Sequence, residues 1–192
     1  LAYTDPESHY NKGIELFQKK VYSASREEFK HYIQITEKTL KENEFNLTNA
    51  EYYSALSGLY AKAIDADIEI ERFVVNHSDH PKAKVIYIDL GKYFYDQGEY
   101  EKAIGYLEKA TIDASDSQQS LEIKYKLAVS YYQTNNIQRA LPIFNEVKNV
   151  SSDYQSHSFY YAGVINYKIE NFDAALSDLK KVENVNPYRI EI

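Results

Sequence analysis

The sequence contains no cysteine, methionine or tryptophan among its 192 residues. Without cysteine there is no disulfide framework, no thiolate nucleophile and no cysteine-ligated zinc cluster. The lack of cysteine also suits a protein of the cell envelope. Because the chain begins at Leu1 and has no methionine, we expect it to be an excised or processed piece of a longer protein.

The motifs of common catalytic sites are also missing. The sequence has no G-x-x-x-x-G-K-[ST], no H-E-x-x-H and no G-x-S-x-G. No apolar run is long enough to span a membrane. A net charge of -7 argues against a nucleic-acid or anionic-membrane partner. We therefore predict a protein that is not an enzyme, has no cofactor and does not insert into a membrane.

Two groups of polar residues are candidates for ion binding. His77, Asp79 and His80 lie together before Pro81, but no fourth ligand is nearby, so we interpret them as a solvated loop. Four carboxylates in residues 65–71 lack the oxygen spacing of a calcium-binding EF-hand loop, and we interpret them as a solvated outer face. The sequence therefore predicts no metal site.

The clearest pattern lies in the 34 residues from 84 to 117, within a chain that is 44% hydrophobic. Its large, small and aromatic positions are Tyr87-x2-Leu90-Gly91-x2-Phe94, then Gly98, then Ala103-x3-Leu107. Gly91 has no Cβ, so another helix can approach it closely. Ala103 does the same on the second helix, and Leu107 fills the space beside it. We therefore predict two helices joined by a turn at Gly98.

This pattern resembles the tetratricopeptide-repeat (TPR) family. Similar patterns predict repeats at approximately 6–49, 50–83, 84–120, 121–155 and 156–189, with the start of a truncated sixth repeat at 187–192. A lone helix pair cannot bury its apolar stripe, so such repeats stack on one another. The resemblance implies an all-α fold over residues 1–192: a right-handed superhelical TPR solenoid of helix–turn–helix repeats.

Several helix starts can be predicted from capping residues. Asp5 followed by proline is expected to start the first helix. Thr48-x-x-Glu51 and Ser152-x-x-Gln155 have the form of capping boxes and are predicted to open the second and fifth repeats.

Other positions depart from the family pattern. Ser25 stands where alanine is usual, and Asn166 stands where an aromatic residue is usual. Glu69 occupies the usual alanine position of the second repeat, so Ala66 is predicted to take that role. Pro142 is predicted to lie in the first turn of its helix, where a missing N–H is tolerated.

In TPR proteins the first helix of each repeat lines a concave groove. The resemblance implies that the groove of repeats three to five is lined by Ile88, Lys92, Tyr95, Tyr125, Val129, Tyr132, Tyr160, Tyr161, Val164 and Tyr167. The matching positions of repeat one are Tyr10, Ile14 and Phe17. Tyrosine is enriched in this set, which suits a binding surface. The alternative is that some of these rings only pack between neighbouring first helices.

The resemblance implies a non-catalytic scaffold that binds a peptide or protein partner in this groove, as part of a longer bacterial TPR protein. The alternative is a docking or regulatory arm of an enzyme or envelope-assembly complex whose active part lies outside this sequence. Self-association is left open. The linker from Asn76 to Pro81 is similar to linkers of bacterial periplasmic TPR proteins, which favours the periplasm or cell envelope over the cytoplasm.

Overall fold

The computed structural model describes residues 5–39, 44–110 and 117–183. Within these ranges the chain forms ten α-helices and no β-strand. The helices are α1 (Pro6–Gln18), α2 (Tyr22–Thr39), α3 (Glu44–Tyr60), α4 (Ala66–Asn76), α5 (Pro81–Asp96), α6 (Tyr100–Leu107), α7 (Ser117–Gln133), α8 (Ile137–Val147), α9 (Gln155–Lys168) and α10 (Phe172–Glu183). The predicted start of a sixth repeat at 187–192 lies outside the described residues. Among the helices that are described, none combines the length and the apolar character needed to cross a bilayer.

The chain divides into two compact units, residues 1–86 and residues 87–192. In the first unit α1 packs on α2, α2 on α3, and α3 on α4. In the second unit α6 packs on α7, α7 on α8, α8 on α9, and α9 on α10. Within each unit these helices therefore contact their neighbours in sequence, as expected for stacked repeats.

The short turns within the helix pairs share one backbone feature. Each turn contains a residue with positive φ: Lys20 (60°), Lys62 (56°), Gly98 (74°), Asn135 (59°) and Glu170 (62°). The prediction of a turn at Gly98 is confirmed. The other four residues are lysine, asparagine or glutamate and adopt the same left-handed conformation, although it is unfavourable for residues with a Cβ. The second repeat thus makes the turn without glycine.

The first helix pair is built as its sequence predicts. Asp5 caps α1 and accepts a hydrogen bond from the Glu7 N–H. A Cβ on Gly13 would lie 2.8 Å from the Phe29 ring, so glycine is needed where α1 meets α2. Ser25, at the alanine position, is fully buried and donates a hydrogen bond of 2.9 Å to the Gly13 carbonyl. Serine fits there because its hydroxyl finds an acceptor across the helix contact.

The two predicted capping boxes are wrong. Helix α3 already begins at Glu44, so Thr48 lies inside it and is only 3% exposed. The Ser152 hydroxyl donates to the Val150 carbonyl instead of capping α9. The Gln155 side chain donates to the Lys148 carbonyl. The two residues of a capping box are three positions apart. The same two residue types can occur at that spacing in the middle of a helix, when packing decides where the helix begins.

Pro142 also lies deeper in its helix than predicted. Helix α8 begins at Ile137, which places Pro142 in the second turn and not the first. The proline therefore leaves the carbonyl four residues earlier without its usual intrahelical donor. Phe144 and Val147 beyond it are fully buried, and this packing holds the helix past the proline.

The contact between α5 and α6 follows the predicted small-and-large pattern. Ala103 is fully buried and Leu107 is 3% exposed, which confirms that Leu107 belongs to the core. A Cβ on Gly91 would lie 2.3 Å from Leu107 Cδ2, so the leucine occupies the space left by the glycine. Gly163 and Leu179 repeat this arrangement between α9 and α10, where the added Cβ would lie 2.7 Å from Leu179 Cγ.

The acidic residues of α4 are not simply a solvated face. Arg26 is only 9% exposed, and its guanidinium lies 2.7 Å from Asp65 and 2.8 Å from Glu69. Lys30 Nζ lies 3.1 Å from Glu69 as well. The hydrogen bond from Arg26 lowers the pKa of Asp65. Ala66 is buried, as predicted, but the glutamate at the alanine position joins α4 to α2 through these ion pairs.

Asn166 departs from the family pattern because it belongs to a buried polar network. Its amide donates a 3.1 Å hydrogen bond to Asp178, which is only 6% exposed. Lys148 Nζ lies 2.7 and 2.9 Å from the two oxygens of the same carboxylate. An aromatic ring at position 166 would leave Asp178 with one donor fewer. The polar network therefore replaces an apolar contact at the last described helix pair.

Candidate partner-binding face

The predicted groove residues of repeats three to five all belong to the second unit. Here α5 and α7 lie side by side. Lys92 Nζ is 2.5 Å from Glu122, and Lys126 Nζ is 3.0 Å from Asp96. Lys126 Nζ also lies 4.2 Å from the centre of the Tyr95 ring, in a cation–π contact. The structure thus brings the α5 and α7 parts of the predicted set together.

Aromatic contacts join α7 to α9 in the same way. The Tyr132 and Tyr161 rings meet edge to face at 5.1 Å, and Tyr125 stacks on Tyr154 at 4.9 Å. Lys168 Nζ donates to the Tyr132 hydroxyl at 3.2 Å and lies 4.7 Å from its ring centre. The first helices of three successive repeats therefore form one continuous surface. We call the predicted groove residues on α5, α7 and α9 the tyrosine face.

Exposure divides these ten residues into three groups. Ile88 and Val129 are only 3% exposed, so they fill the core and offer almost no surface to a partner. Tyr167 is 64% exposed. The remaining seven are partly buried: Lys92, Tyr95, Tyr125, Tyr132, Tyr160, Tyr161 and Val164.

The partly buried rings rest on a common core. Tyr161 stacks on the fully buried Phe144 at 5.0 Å. Tyr95, Tyr125 and Tyr132 pack against the same cluster of buried residues. Packing between first helices, the alternative left open by the sequence, therefore accounts for part of each of these contacts. It also holds the rings in place while each residue stays partly exposed.

Two tyrosine hydroxyls of this face, those of Tyr95 and Tyr161, have raised pKa values and stay protonated at physiological pH. Burial, with a smaller contribution from Tyr161 and Tyr100, raises the pKa of Tyr95 to about 12. Burial also raises the pKa of Tyr161, with neighbouring Tyr132 and Tyr160 adding to the effect. A neutral phenol both donates and accepts hydrogen bonds, so these side chains can serve a peptide N–H or C=O equally.

Two residues of this surface were not predicted. Glu122 lies one turn before Lys126 on α7 and ties that helix to α5 through Lys92. Tyr154 directly precedes α9 and stacks on Tyr125. Glu122 could have been predicted to lie on this surface, because its spacing to Lys126 puts both residues on one face of the helix. No family position marks Tyr154, because it lies in the connection between repeats.

The groove positions predicted for repeat one belong to the first unit. The Tyr10 ring lies 5.3 Å from Tyr32, and the Phe17 ring lies 5.1 Å from Tyr53. Tyr10 and Ile14 pack against a buried cluster that includes Phe29. These side chains stabilise the contacts of α1 with α2 and α3.

The His77–His80 loop has structural contacts of its own. His77 Nε2 pairs with Glu51 on α3. His80 Nδ1 accepts a 3.1 Å hydrogen bond from the Lys82 N–H, in the first turn of α5. The two imidazole rings are 6.4 Å apart, and each is oriented by a different partner.

Comparisons with known proteins agree with this architecture. Family models described as tetratricopeptide repeat match residues 85–111 and residues 122–152. Among solved structures, a putative kinesin light chain with nearly identical TPR-like repeats from Podosopora anserina superposes with a TM-score of 0.67. The sequences are 16% identical, over 94% of this chain and 95% of that chain. The fold is an all-α tetratricopeptide-repeat fold.

Two further solved structures are similar to this chain. MamA AMB-1 has a TM-score of 0.67 and 15% identity, over 94% of this chain and 91% of that chain. BtubC (BKLC) from P. vanneervenii has a TM-score of 0.64 and 16% identity, over 94% of this chain and 82% of that chain. No curated protein matches the sequence. TPR-type folds generally mediate protein–protein interaction and are generally non-catalytic.

Proposed function

We propose that the tyrosine face binds an extended or helical segment of a protein partner. The observation that carries this proposal is the surface formed by α5, α7 and α9, on which Tyr95, Tyr125, Tyr132 and Tyr161 pack on a common core and remain partly exposed. Rings already held in place lose little side-chain entropy when a partner binds. Each tyrosine adds a large apolar area and a hydroxyl for the partner's backbone.

Charge should contribute little to this binding. Lys92 and Lys126 are already paired with Glu122 and Asp96, and Lys168 contacts Tyr132. Because the charges of this surface neutralise one another, long-range attraction of a charged partner is weak. We therefore expect the affinity to change by no more than about threefold between low and high salt, unlike that of a charge-driven interface.

The test begins with a partner recovered from the source organism and narrowed to its shortest binding peptide. Calorimetric titration with that peptide then compares the full chain with Tyr160→Ala and Tyr167→Ala. Each substitution should weaken binding by about 1–2 kcal/mol if its ring is an anchor. Leu176→Ala is the matched control, because Leu176 is a 56% exposed apolar side chain on α10 and not on the tyrosine face.

A different result of these titrations would indicate another binding site. If Tyr160→Ala and Tyr167→Ala bind the peptide as tightly as the wild-type chain while high salt abolishes binding, the tyrosine face is not the site. Exposed acidic residues of α4, such as Asp67 and Glu71, would then be the better candidates.

We also propose that the chain works in the periplasm or cell envelope of a bacterium. The linker from Asn76 to Pro81 and the absence of cysteine support this location. Fractionation of the source cells tests it, since recovery in the cytoplasmic fraction alone would exclude it. The competing role, a docking arm of an enzyme or envelope-assembly complex, predicts a catalytic or assembly domain outside this sequence.

A further inference from the structure

Three side chains with metal-binding atoms meet at the contact between α1 and α2. His9 lies on α1, and Glu28 and His31 lie on α2. One nitrogen or oxygen of each lies within 4.8 Å of the others. His9 Nδ1 is 2.6 Å from Glu28 Oε2, and the two imidazole rings are 5.4 Å apart. The sequence offered only a weak signal for this group, because His9 is far from the other two along the chain.

The helices hold these three groups in place. Glu28 and His31 are three residues apart and therefore share one face of α2. Helix α1 is fixed against that helix by the close approach of Gly13 to Phe29 and by the hydrogen bond from Ser25 to the Gly13 carbonyl. His9, one turn before Gly13, is thus brought opposite Glu28 by packing that does not depend on the polar group itself.

The chemistry of the three groups is that of a zinc ligand set. Two imidazoles and one carboxylate are the protein ligands of a class of zinc site in which water takes the fourth position, so a fourth protein ligand is not needed where three donor atoms converge. Within the part of the chain that the structure describes, three donor atoms converge within 4.8 Å here and not at His77, Asp79 and His80. The second carboxylate oxygen of Glu28 is 3.1 Å from Lys12 Nζ, which orients the carboxylate as an outer-shell partner does. Tetrahedral zinc holds its donor atoms about 3.3 Å apart. Donor atoms now up to 4.8 Å apart would therefore need to close by about 1.5 Å, which rotation of the exposed His31 side chain can supply. His9 Nδ1 and Glu28 Oε2, now 2.6 Å apart, would need to separate by about 0.7 Å, which small rotations of these two side chains can supply.

We propose that His9, Glu28 and His31 bind a zinc ion that fastens α1 to α2. The site lies in the first unit and is independent of the tyrosine face. The acidic residues of α4 are a poorer choice, because Arg26 and Lys30 already neutralise Asp65 and Glu69. An imidazole-rich group also favours zinc over magnesium or calcium, which prefer oxygen ligands alone.

The test uses the full chain without an affinity tag, stripped of metal by a chelator and titrated with zinc chloride in a calorimeter. One equivalent should bind, and the melting temperature should rise with the zinc concentration, because an ion that binds only the folded chain stabilises it. His31→Ala should weaken zinc binding by at least about tenfold and remove most of the rise in melting temperature. His31 is exposed, so this variant should fold normally without metal.

A double variant, His77→Ala with His80→Ala, is the matched control because it removes the other nearby pair of histidines. It should bind zinc as the wild-type chain does. Cobalt(II) provides a second readout, since a site with imidazole and carboxylate ligands gives it a visible absorption that His31→Ala should abolish. The proposal is overturned if no stoichiometric binding is seen, if His31→Ala binds zinc like the wild-type chain, or if the double variant loses binding instead.

Discussion

The two units of this chain use the same helix–turn–helix plan but hold their helices together differently. In the first unit the buried Arg26 joins α2 to α4 through Asp65 and Glu69. In the second unit Leu107 is seated over Gly91 where α5 meets α6, and the Lys102 ammonium lies 4.9 Å from the centre of the Phe94 ring. Ion pairs and close apolar packing can therefore stabilise the same kind of repeat.

This difference explains which part of the chain resembles the family most clearly. The TPR models match residues 85–111 and 122–152, where small and large apolar residues occupy the usual positions. Where Glu69 replaces alanine, the contact is made by residues that no repeat pattern includes. A repeat held together by ion pairs keeps the fold and loses the sequence signature.

Leu107→Ala should have the largest effect on stability. It removes a side chain that is 3% exposed and leaves a cavity beside Gly91, so we expect a loss of about 2–5 kcal/mol in the free energy of unfolding. Chemical denaturation followed by circular dichroism measures it. Leu176→Ala, at an exposed position, is the control and should change the stability by less than about 0.5 kcal/mol. Equal losses for the two variants would contradict the assigned helix contact.

Asp178→Ala tests the exception within the second unit, where a polar network replaces apolar packing. It leaves the Lys148 ammonium and the Asn166 amide without their carboxylate, and Asp178 is only 6% exposed. We expect a loss of about 2–4 kcal/mol, measured by the same denaturation experiment. Ser177→Ala at the neighbouring exposed position should be nearly neutral. If Asp178→Ala is neutral too, the network does not stabilise the last helix pair.

Arg26→Met tests how much the ion pairs of the first unit contribute to its stability. The methionine keeps the apolar stem but removes the hydrogen bonds to Asp65 and Glu69, so we expect a loss of about 1–3 kcal/mol. The loss should shrink in 1 M salt as ions screen the remaining carboxylates, to a Debye length of about 3 Å. Leu107→Ala should show no such salt dependence. A loss from Arg26→Met that is the same at both salt concentrations would mean that lost packing, not charge, is responsible.

Gly98→Ala should have the smallest effect, since it concerns a feature that both units share. The added Cβ meets no atom within 4 Å, so the expected cost of about 1 kcal/mol comes from the backbone φ of 74° alone. The reverse change, Asn135→Gly, should stabilise the chain by a few tenths to about 1 kcal/mol. Thermal melts of both variants test these two expectations. If Gly98→Ala stabilises the chain, the backbone of the turn can relax to a conformation that alanine accepts.

Much of the fold could be predicted because it follows from local chemistry. Asp5 with the following proline starts α1, Gly98 makes its turn, and Ala103 with Leu107 forms the core contact. The capping box at Thr48 failed because α3 already begins at Glu44. The one at Ser152 failed because the Ser152 hydroxyl and the Gln155 amide donate to the Val150 and Lys148 carbonyls. The three left-handed turns at Lys20, Lys62 and Glu170 could not be predicted, because lysine and glutamate give no sign of that conformation.

The sequence by itself determined the helical repeats and the set of residues on the first helices, since both depend on residue size and spacing along the chain. Only the tertiary structure decided what those residues do. It buried Ile88 and Val129, left Tyr167 exposed, and paired Lys92 and Lys126 with carboxylates of neighbouring helices. The physical reason is that exposure and ion pairing depend on which helices meet, and those partners lie far apart in sequence.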